Sequence, residues 1–138
     1  MRLTSMSDYA LVLMAAAARH CGGARVSATG LAAETGIALP TAQKLVSLLS
    51  KAGLLRAVRG SGGGIQLARP AAAISVADIV EAVEGPIALT ACAEGGRHDC
   101  VLEADCRVRP HMGIVNGAVR GALQNMSLAG LARAETGQ

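Results

Sequence analysis

Aromatic side chains are nearly missing from this 138-residue sequence, which has no tryptophan or phenylalanine and a single tyrosine, Tyr9. Apolar residues still make up 51% of the chain, so its core must consist of alanine, valine, leucine, isoleucine and methionine. Such side chains favour helices that pack closely. The length suits one compact domain with an extension, because domains typically contain about 100 to 150 residues.

Long hydrophobic runs are also missing. The apolar stretch 10–18 is far shorter than the roughly 20 residues of a membrane-spanning helix. It also makes a poor signal peptide, because Asp8 precedes it and Arg2 is the only basic residue before it. We therefore expect a cytoplasmic protein with no membrane partner.

Patterns typical of hydrolytic or group-transfer catalysis are missing as well, since neither a Ser/His/Asp arrangement nor a paired-carboxylate site can be recognised. The glycine-rich stretch 60–64 lacks the Gly-Lys-Ser/Thr and the following helix that a nucleotide-binding P-loop requires. We expect neither an enzyme nor a small-molecule substrate.

Acidic residues are absent from one long segment. No aspartate or glutamate lies between Glu34 and Asp78, a segment that contains five basic residues: Lys44, Lys51, Arg56, Arg59 and Arg69. From Asp78 to Asp105 the balance reverses, with seven acidic residues and one arginine. The first of these segments suits a polyanion such as nucleic acid, and the second does not.

The residues that start and end helices predict a mainly α-helical fold with a helix-turn-helix. Ser5 or Ser7 can cap a first helix, and Ser27 begins a second that ends at Gly36. After a short turn, Pro40 fits the first turn of a third helix. In a helix-turn-helix, the second of two such helices lies in the DNA major groove.

A small two-stranded hairpin is predicted next. Residues 54–58 and 65–67 are expected to form strands, and the glycine-rich stretch with Arg59 lies between them. An arginine beside glycines fits a DNA backbone or minor groove and makes this a wing; the alternative is an ordinary solvated hairpin. The residues assigned to contacts with a double-stranded DNA operator are Arg2, Thr41, Gln43, Lys44, Arg56, Arg59, Ser61 and Gly62.

A long C-terminal helix is predicted from about residue 109 to residue 126. It carries Gly113, Gly117 and Gly121 at intervals of four, although each interior glycine costs a helix roughly 1 kcal/mol relative to alanine. Such a face lets another helix approach closely and favours a homodimerisation helix; the alternative is packing against the protein's own first helix. The residues assigned to the dimer contact are Met112, Gly113, Val115, Gly117, Val119, Gly121 and Leu123.

Three of the four cysteines, Cys92, Cys100 and Cys106, fall within fifteen residues. Clustered thiols in a cytoplasmic protein indicate metal or redox chemistry rather than a disulfide framework. Iron-sulfur clusters are held mainly by thiolates, and gaps of seven and five residues differ from the close cysteine pairs of a zinc knuckle. Cys21 stands apart and is interpreted as a packing residue.

Several motifs, taken in order, resemble the iron-sulfur winged-helix regulators typified by IscR, NsrR and RirA. They are Met1–Thr4, Lys51–Leu55, Val58–Gly64, Ala68–Pro70, Ile74–Ile79, Glu84–Pro86 and the three cysteines. The resemblance covers nearly the whole chain. Residues 127–131 look most like the subgroup that regulates SUF-type cluster assembly.

The resemblance implies a winged helix-turn-helix with a long C-terminal dimerisation helix. We divide the chain into a DNA-binding domain (1–86), a cluster-binding loop (87–108) and a dimerisation helix with a tail (109–138). The family is implied to act as homodimeric transcription factors, often repressors, in which iron-sulfur status, iron or nitric oxide alters operator affinity.

Three cysteines leave one ligand position of a cluster to another residue. IscR-like members use a histidine three residues after the last cysteine, where this chain has Arg109; His111 and His98 are nearby alternatives. NsrR-like members take an aspartate from the first helix of the partner subunit, and Asp8 stands at the matching position. Whether the cluster has two or four irons is left open.

Two other functions are compatible with the sequence. In one, the three cysteines switch DNA binding through disulfides or a zinc ion, without a cluster. In the other, the chain is a small iron-sulfur carrier or redox protein that does not bind DNA. The acid-free basic segment and the wing argue against the carrier.

Overall fold

The computed structural model describes residues 4–20, 26–58, 64–88, 96–101 and 103–136, which form six α-helices, a two-stranded antiparallel sheet and two short 3-10 helices. The elements are α1 (Ser5–Arg19), α2 (Ala28–Thr35), α3 (Leu39–Lys51), β1 (Leu55–Val58), β2 (Gly64–Leu67), α4 (Val76–Glu84), α5 (Arg109–Gln124) and α6 (Leu128–Thr136). The predicted mainly α-helical fold with a small hairpin is confirmed.

The core is aliphatic, as its composition requires, and α1 lies at its centre. Leu13 and Met14 are fully buried there, and small residues such as Ala10 and Ala16 let α1 pack against α2, α4 and α6. The cap of α1 was predicted wrongly. Thr4 caps the helix by accepting a hydrogen bond from the Ser7 backbone N–H at 3.2 Å, while Ser7 itself is buried.

The helix-turn-helix follows the predicted signals. The Ser27 hydroxyl accepts from the Gly30 N–H at 2.9 Å, and α2 ends at Gly36, whose φ of 80° lies in the left-handed region that glycine adopts without strain. Pro40 lies in the first turn of α3. Leu31 of α2 and Leu45 of α3 are fully buried, so the two helices share one core.

The hairpin pairs Leu55 with Leu67 and Val58 with Gly64. Val26, just ahead of α2, forms a bridge with Ile65 through hydrogen bonds of 2.7 and 3.4 Å. Because this bridge ties β2 to the chain that enters α2, the hairpin is held beside the helix-turn-helix.

The C-terminal part differs from the prediction of one helix to residue 126 followed by a tail. The backbone N–H of Val76 donates to the Met126 carbonyl at 2.9 Å, and the Leu128 N–H donates to the Ile74 carbonyl at 2.8 Å. This bridge ends α5 at Gln124 and turns the chain back. The region predicted as a tail forms α6, which packs on α1 through the fully buried Leu128.

None of the helices in the described ranges has the length and apolar character needed to cross a membrane.

Candidate nucleic-acid interface and metal centre

The buried face of α3 determines which of its side chains face outward. Ala42, Leu45 and Leu49 are fully buried, which leaves Gln43 and Lys44 exposed on the opposite side and Thr41 half-buried. Glutamine can recognise an adenine edge and lysine a guanine edge in the major groove. The arrangement of α3 is therefore suited to reading bases.

The start of α3 is suited to a phosphate. Its N-cap residue is Ala38, which has no side chain that could accept a hydrogen bond from the first turn. Backbone N–H groups at such an end, together with the helix dipole, favour an anion. A DNA phosphate at this point would orient α3 along the groove.

The hairpin presents Arg56 from β1. Arg56 is exposed and faces Gln66 on β2; with the Gln66 amide oxygen turned toward it, Nη2 and Nε of Arg56 donate at 2.7 and 2.8 Å. This contact holds the guanidinium along the hairpin, where phosphates are expected. Four of the assigned DNA contacts, Arg2, Arg59, Ser61 and Gly62, lie outside the described residues.

One basic residue of the acid-free segment has a structural partner. Nη2 of Arg69 lies 3.5 Å from Oδ2 of Asp78, and Asp78 also forms the capping box of α4 with Ser75. The count of basic residues in the sequence therefore overstates the charge that this segment offers to DNA.

The cysteine segment is described at its C-terminal end. Cys100 is exposed and Cys106 is half-buried, while Cys92 lies outside the described residues. The Cys106 carbonyl accepts from the Arg109 N–H at 3.4 Å, so this cysteine directly precedes the first turn of α5. Within the described ranges no three metal-binding side chains converge, and the third thiol is outside those ranges.

The first turn of α5 carries a charge pattern that fits an anionic group. It contains Arg109 and His111, both exposed, and no acidic residue. The positive side chain of Arg109 is unfavourable at a helix N-terminus, where the dipole is already positive. A cluster held by three thiolates carries net negative charge and would offset this, so the donor set and its surroundings fit an iron-sulfur cluster.

The candidates for the fourth ligand lie in three places. His111 is exposed on α5, and His98 is exposed in the segment with a φ of 56°. Asp8 is exposed in the first turn of α1, where an acidic residue also favours the helix dipole. None of the three is buried against its own protomer, so each is accessible to a group on the surface.

Sequence reasoning missed the residues that hold the start of the cysteine segment. The Ile87 N–H donates to Oε2 of Glu81 at 3.0 Å, and the Ile87 carbonyl accepts from Nδ2 of Asn116 at 3.1 Å. The available signal was Asn116 itself, a polar residue between Gly113 and Gly117 on α5. Asn116 is buried, although asparagine side chains are mostly exposed.

The remainder of α5 is largely uncovered by the described residues. Ile114 is 72% exposed, and a Cβ added at Gly113, Gly117 or Gly121 would meet no atom within 4 Å. The described contacts of α5 are chiefly with α4, whereas α6 packs on α1. Packing among these elements of the protomer thus does not account for the three glycines.

Comparisons with known proteins agree on one family. The model of Rrf2, described as an iron-dependent transcriptional regulator, matches residues 3–134. The chain is 34% identical over 133 residues to the HTH-type transcriptional regulator IscR of Photobacterium profundum, covering 96% of this chain and 76% of that protein.

Solved structures give the same result. CymR, the global cysteine regulator of B. subtilis, matches with a TM-score of 0.80 and 28% identity over 97% of this chain and 98% of CymR. IscR of T. potens matches with a TM-score of 0.76 and 27% identity over 100% of this chain and 91% of that one. The relatives are regulators of transcription, which confirms the prediction that the chain is not an enzyme.

Proposed function

The chain belongs to the Rrf2 family of transcriptional regulators, and we propose that it binds its operator as a homodimer whose DNA affinity depends on an iron-sulfur cluster. In this proposal α3 reads bases through Thr41, Gln43 and Lys44, and Arg56 and Arg59 hold phosphates or the minor groove. The regulator represses genes for iron-sulfur cluster assembly.

The observation that carries this proposal is the position of Cys106. It leads directly into α5, whose first turn contains Arg109 and His111 and no acidic residue. Cys92, Cys100 and Cys106 would supply three thiolates, and Asp8 of the partner subunit or His111 the fourth ligand. A cluster held this way is sensitive to oxygen, nitric oxide and iron supply, because its weakest ligand can be replaced.

The test begins with protein purified without oxygen. We expect iron and acid-labile sulfide, a visible absorption spectrum, and an operator affinity that changes when the cluster is removed. Cys100→Ser and Cys106→Ser should each abolish iron retention, whereas Cys21→Ser, outside the cysteine segment, should retain it. Protein that contains neither iron nor sulfide when handled anaerobically would overturn the proposal.

A second function is favoured by the likeness to CymR, whose solved structure is that of a cysteine regulator. In this alternative Cys92, Cys100 and Cys106 control DNA binding by forming disulfides or holding zinc. Zinc without sulfide in the anaerobic protein, or an operator affinity that follows thiol oxidation in iron-free protein, would establish this alternative in place of the cluster.

A further inference from the structure

The start of the cysteine segment is held by side chains from two helices. Glu81 comes from α4 and Asn116 from α5, and together they bind both backbone polar groups of Ile87, at 3.0 and 3.1 Å. Arg120 of α5 completes the arrangement, since its Nη2 donates to Oε1 of Glu81 at 2.9 Å and its Nε to Oε2 at 3.4 Å. We call these three residues the clamp.

The clamp is a polar contact in a poorly filled junction. A cavity of about 630 Å³ lies between α4 and α5, lined by Glu81, Pro86, Ile87, Gly113, Asn116, Gly117, Arg120 and Gln124. Asn116 is 6% exposed, so breaking its bond to Ile87 leaves a buried amide without that acceptor. These hydrogen bonds therefore contribute to the position of α5 against α4.

The clamp also connects the cysteine segment to the DNA-binding helices. Cys92 follows Ile87 by five residues, and the segment returns to α5 at Cys106. On its other side α4 buries Ile79 and Val80 and packs against α1 and α3. A displacement of Ile87 therefore pulls on a helix that contacts the recognition helix.

We infer that Glu81, Asn116 and Arg120 are positioning residues that transmit the state of the cysteine segment to α4 and thereby to α3. This inference rests on the proposed function, because it assigns the path by which ligand binding at the cysteines changes operator affinity. Such transmission requires a structural element whose conformation depends on both the cysteine segment and the DNA-binding helices. The clamp is a contact that α4, α5 and the cysteine segment share.

The test compares operator affinity in two states of the segment. For the wild type and Asn116→Leu, which has a similar size but no donor, the dissociation constant is measured with and without the cluster. Coupling between sites typically amounts to about 5- to 150-fold. We expect the wild-type ratio to fall in this range and the Asn116→Leu ratio to fall toward one.

Two further variants separate transmission from folding. Glu81→Gln keeps an acceptor for the Ile87 N–H but weakens the pair with Arg120, so it should reduce the ratio partly while the protein remains folded. Glu34→Gln removes a similar ion pair, between α1 and α2, and should leave the ratio unchanged. A folded Asn116→Leu or Glu81→Gln protein with the wild-type ratio overturns the inference.

A second perturbation makes the test independent of the cluster. In a Cys21→Ser background, a bulky maleimide modifies the cysteines of the segment, and operator affinity is measured before and after. If the wild-type protein takes up no cluster, the proposed function is overturned. The ratio of the operator dissociation constants after and before maleimide modification still tests the clamp in that case. If operator affinity responds to neither perturbation, or responds equally in Asn116→Leu, the clamp does not transmit.

Discussion

Replacing Gly117 with alanine separates the stability of the protomer from the stability of the dimer. Gly117 is exposed in the interior of α5, and a Cβ there would meet no atom within 4 Å among the residues that the structure describes. Alanine is about 1 kcal/mol more favourable than glycine inside a helix. Within the protomer, Gly117→Ala should therefore stabilise the fold by about 1 kcal/mol.

The dimer is expected to respond in the opposite direction. If α5 packs closely against its counterpart through Gly113, Gly117 and Gly121, an added methyl overpacks the contact, which costs about 1 to 3 kcal/mol. In a twofold dimer the added methyl group is present in both protomers, so its cost is counted twice. Since 1.4 kcal/mol corresponds to about a factor of ten, the dimer dissociation constant should rise at least about tenfold.

Sedimentation equilibrium over a concentration series measures the dimer dissociation constant, and urea unfolding measures the free energy of unfolding. The protein concentrations in the unfolding experiments are matched, because dimerisation changes the apparent stability by mass action. Ala33→Gly is the control: Ala33 is exposed on α2 and is not among the residues assigned to the dimer contact, so the change should lower stability and leave the dimer constant unaltered. A Gly117→Ala protein that is more stable and has the wild-type dimer constant would refute the role of the glycine face.

Three further predictions concern the DNA-binding unit. Arg59→Ala should weaken operator binding and reduce the steepness of log affinity against log salt concentration by about one. Titration of the operator at several salt concentrations measures this slope. An unchanged slope would show that Arg59 does not contact a phosphate. Leu45→Ala should cost about 2 to 5 kcal/mol in urea unfolding, because Leu45 is fully buried, whereas the same change at the half-buried Leu48 should cost less. The hydrogen bond from His20, together with Arg19, holds the pKa of Glu34 below its usual value despite some desolvation. The ionised Glu34 therefore contributes stability above its unfolded pKa that is lost as pH falls through its folded pKa. Since the Glu34 side chain is about one-third exposed, Glu34→Gln should lower the free energy of unfolding at neutral pH by less than about 1 kcal/mol. The free energy of unfolding should also fall less steeply at acid pH than in the wild type, as measured by urea unfolding over a pH series. An equally steep fall would contradict this.

Elements set by local chemistry were predictable from the sequence. Gly36 ends α2 because its backbone must adopt a positive φ, and Ser75 begins α4 because its hydroxyl and Asp78 form a reciprocal capping box. Each signal acts within four residues and is visible in the chain. The exposed positions of Gln43 and Lys44 followed from the apolar spacing of α3 in the same way.

Contacts between distant residues were not predictable from the sequence. The end of α5 at Gln124 depends on the bridge between Ser75 and Ser127, and the clamp joins Ile87 to Asn116, 29 residues later. Neither contact alters the local spacing of apolar residues. The cap at Thr4 rather than Ser7 required knowing which side of α1 is buried, which depends on the packing of α4 and α6.

The acidic residues of α4 have structural roles inside the protomer. Asp78 caps α4, Glu81 holds Ile87 and Arg120, and Glu84 accepts from the Thr4 N–H at 3.3 Å. These acids of α4 bind neighbouring helices and the start of the cysteine segment. Their charge is thus engaged largely inside the protomer, as is that of Arg69.

What remains for a polyanion is a smaller set of charges on α3 and the hairpin. Lys44, Lys51 and Arg56 are all exposed, and all belong to elements that the core fixes in orientation. In the clamp proposal, a change at Glu81 acts on the position of α3, because Glu81 holds Ile87 and Arg120. If the clamp transmits the state of the cysteine segment to α3, operator affinity changes through geometry. Operator binding should then respond to the segment at high salt as well as at low salt, whereas a purely electrostatic switch would lose its effect as salt rises.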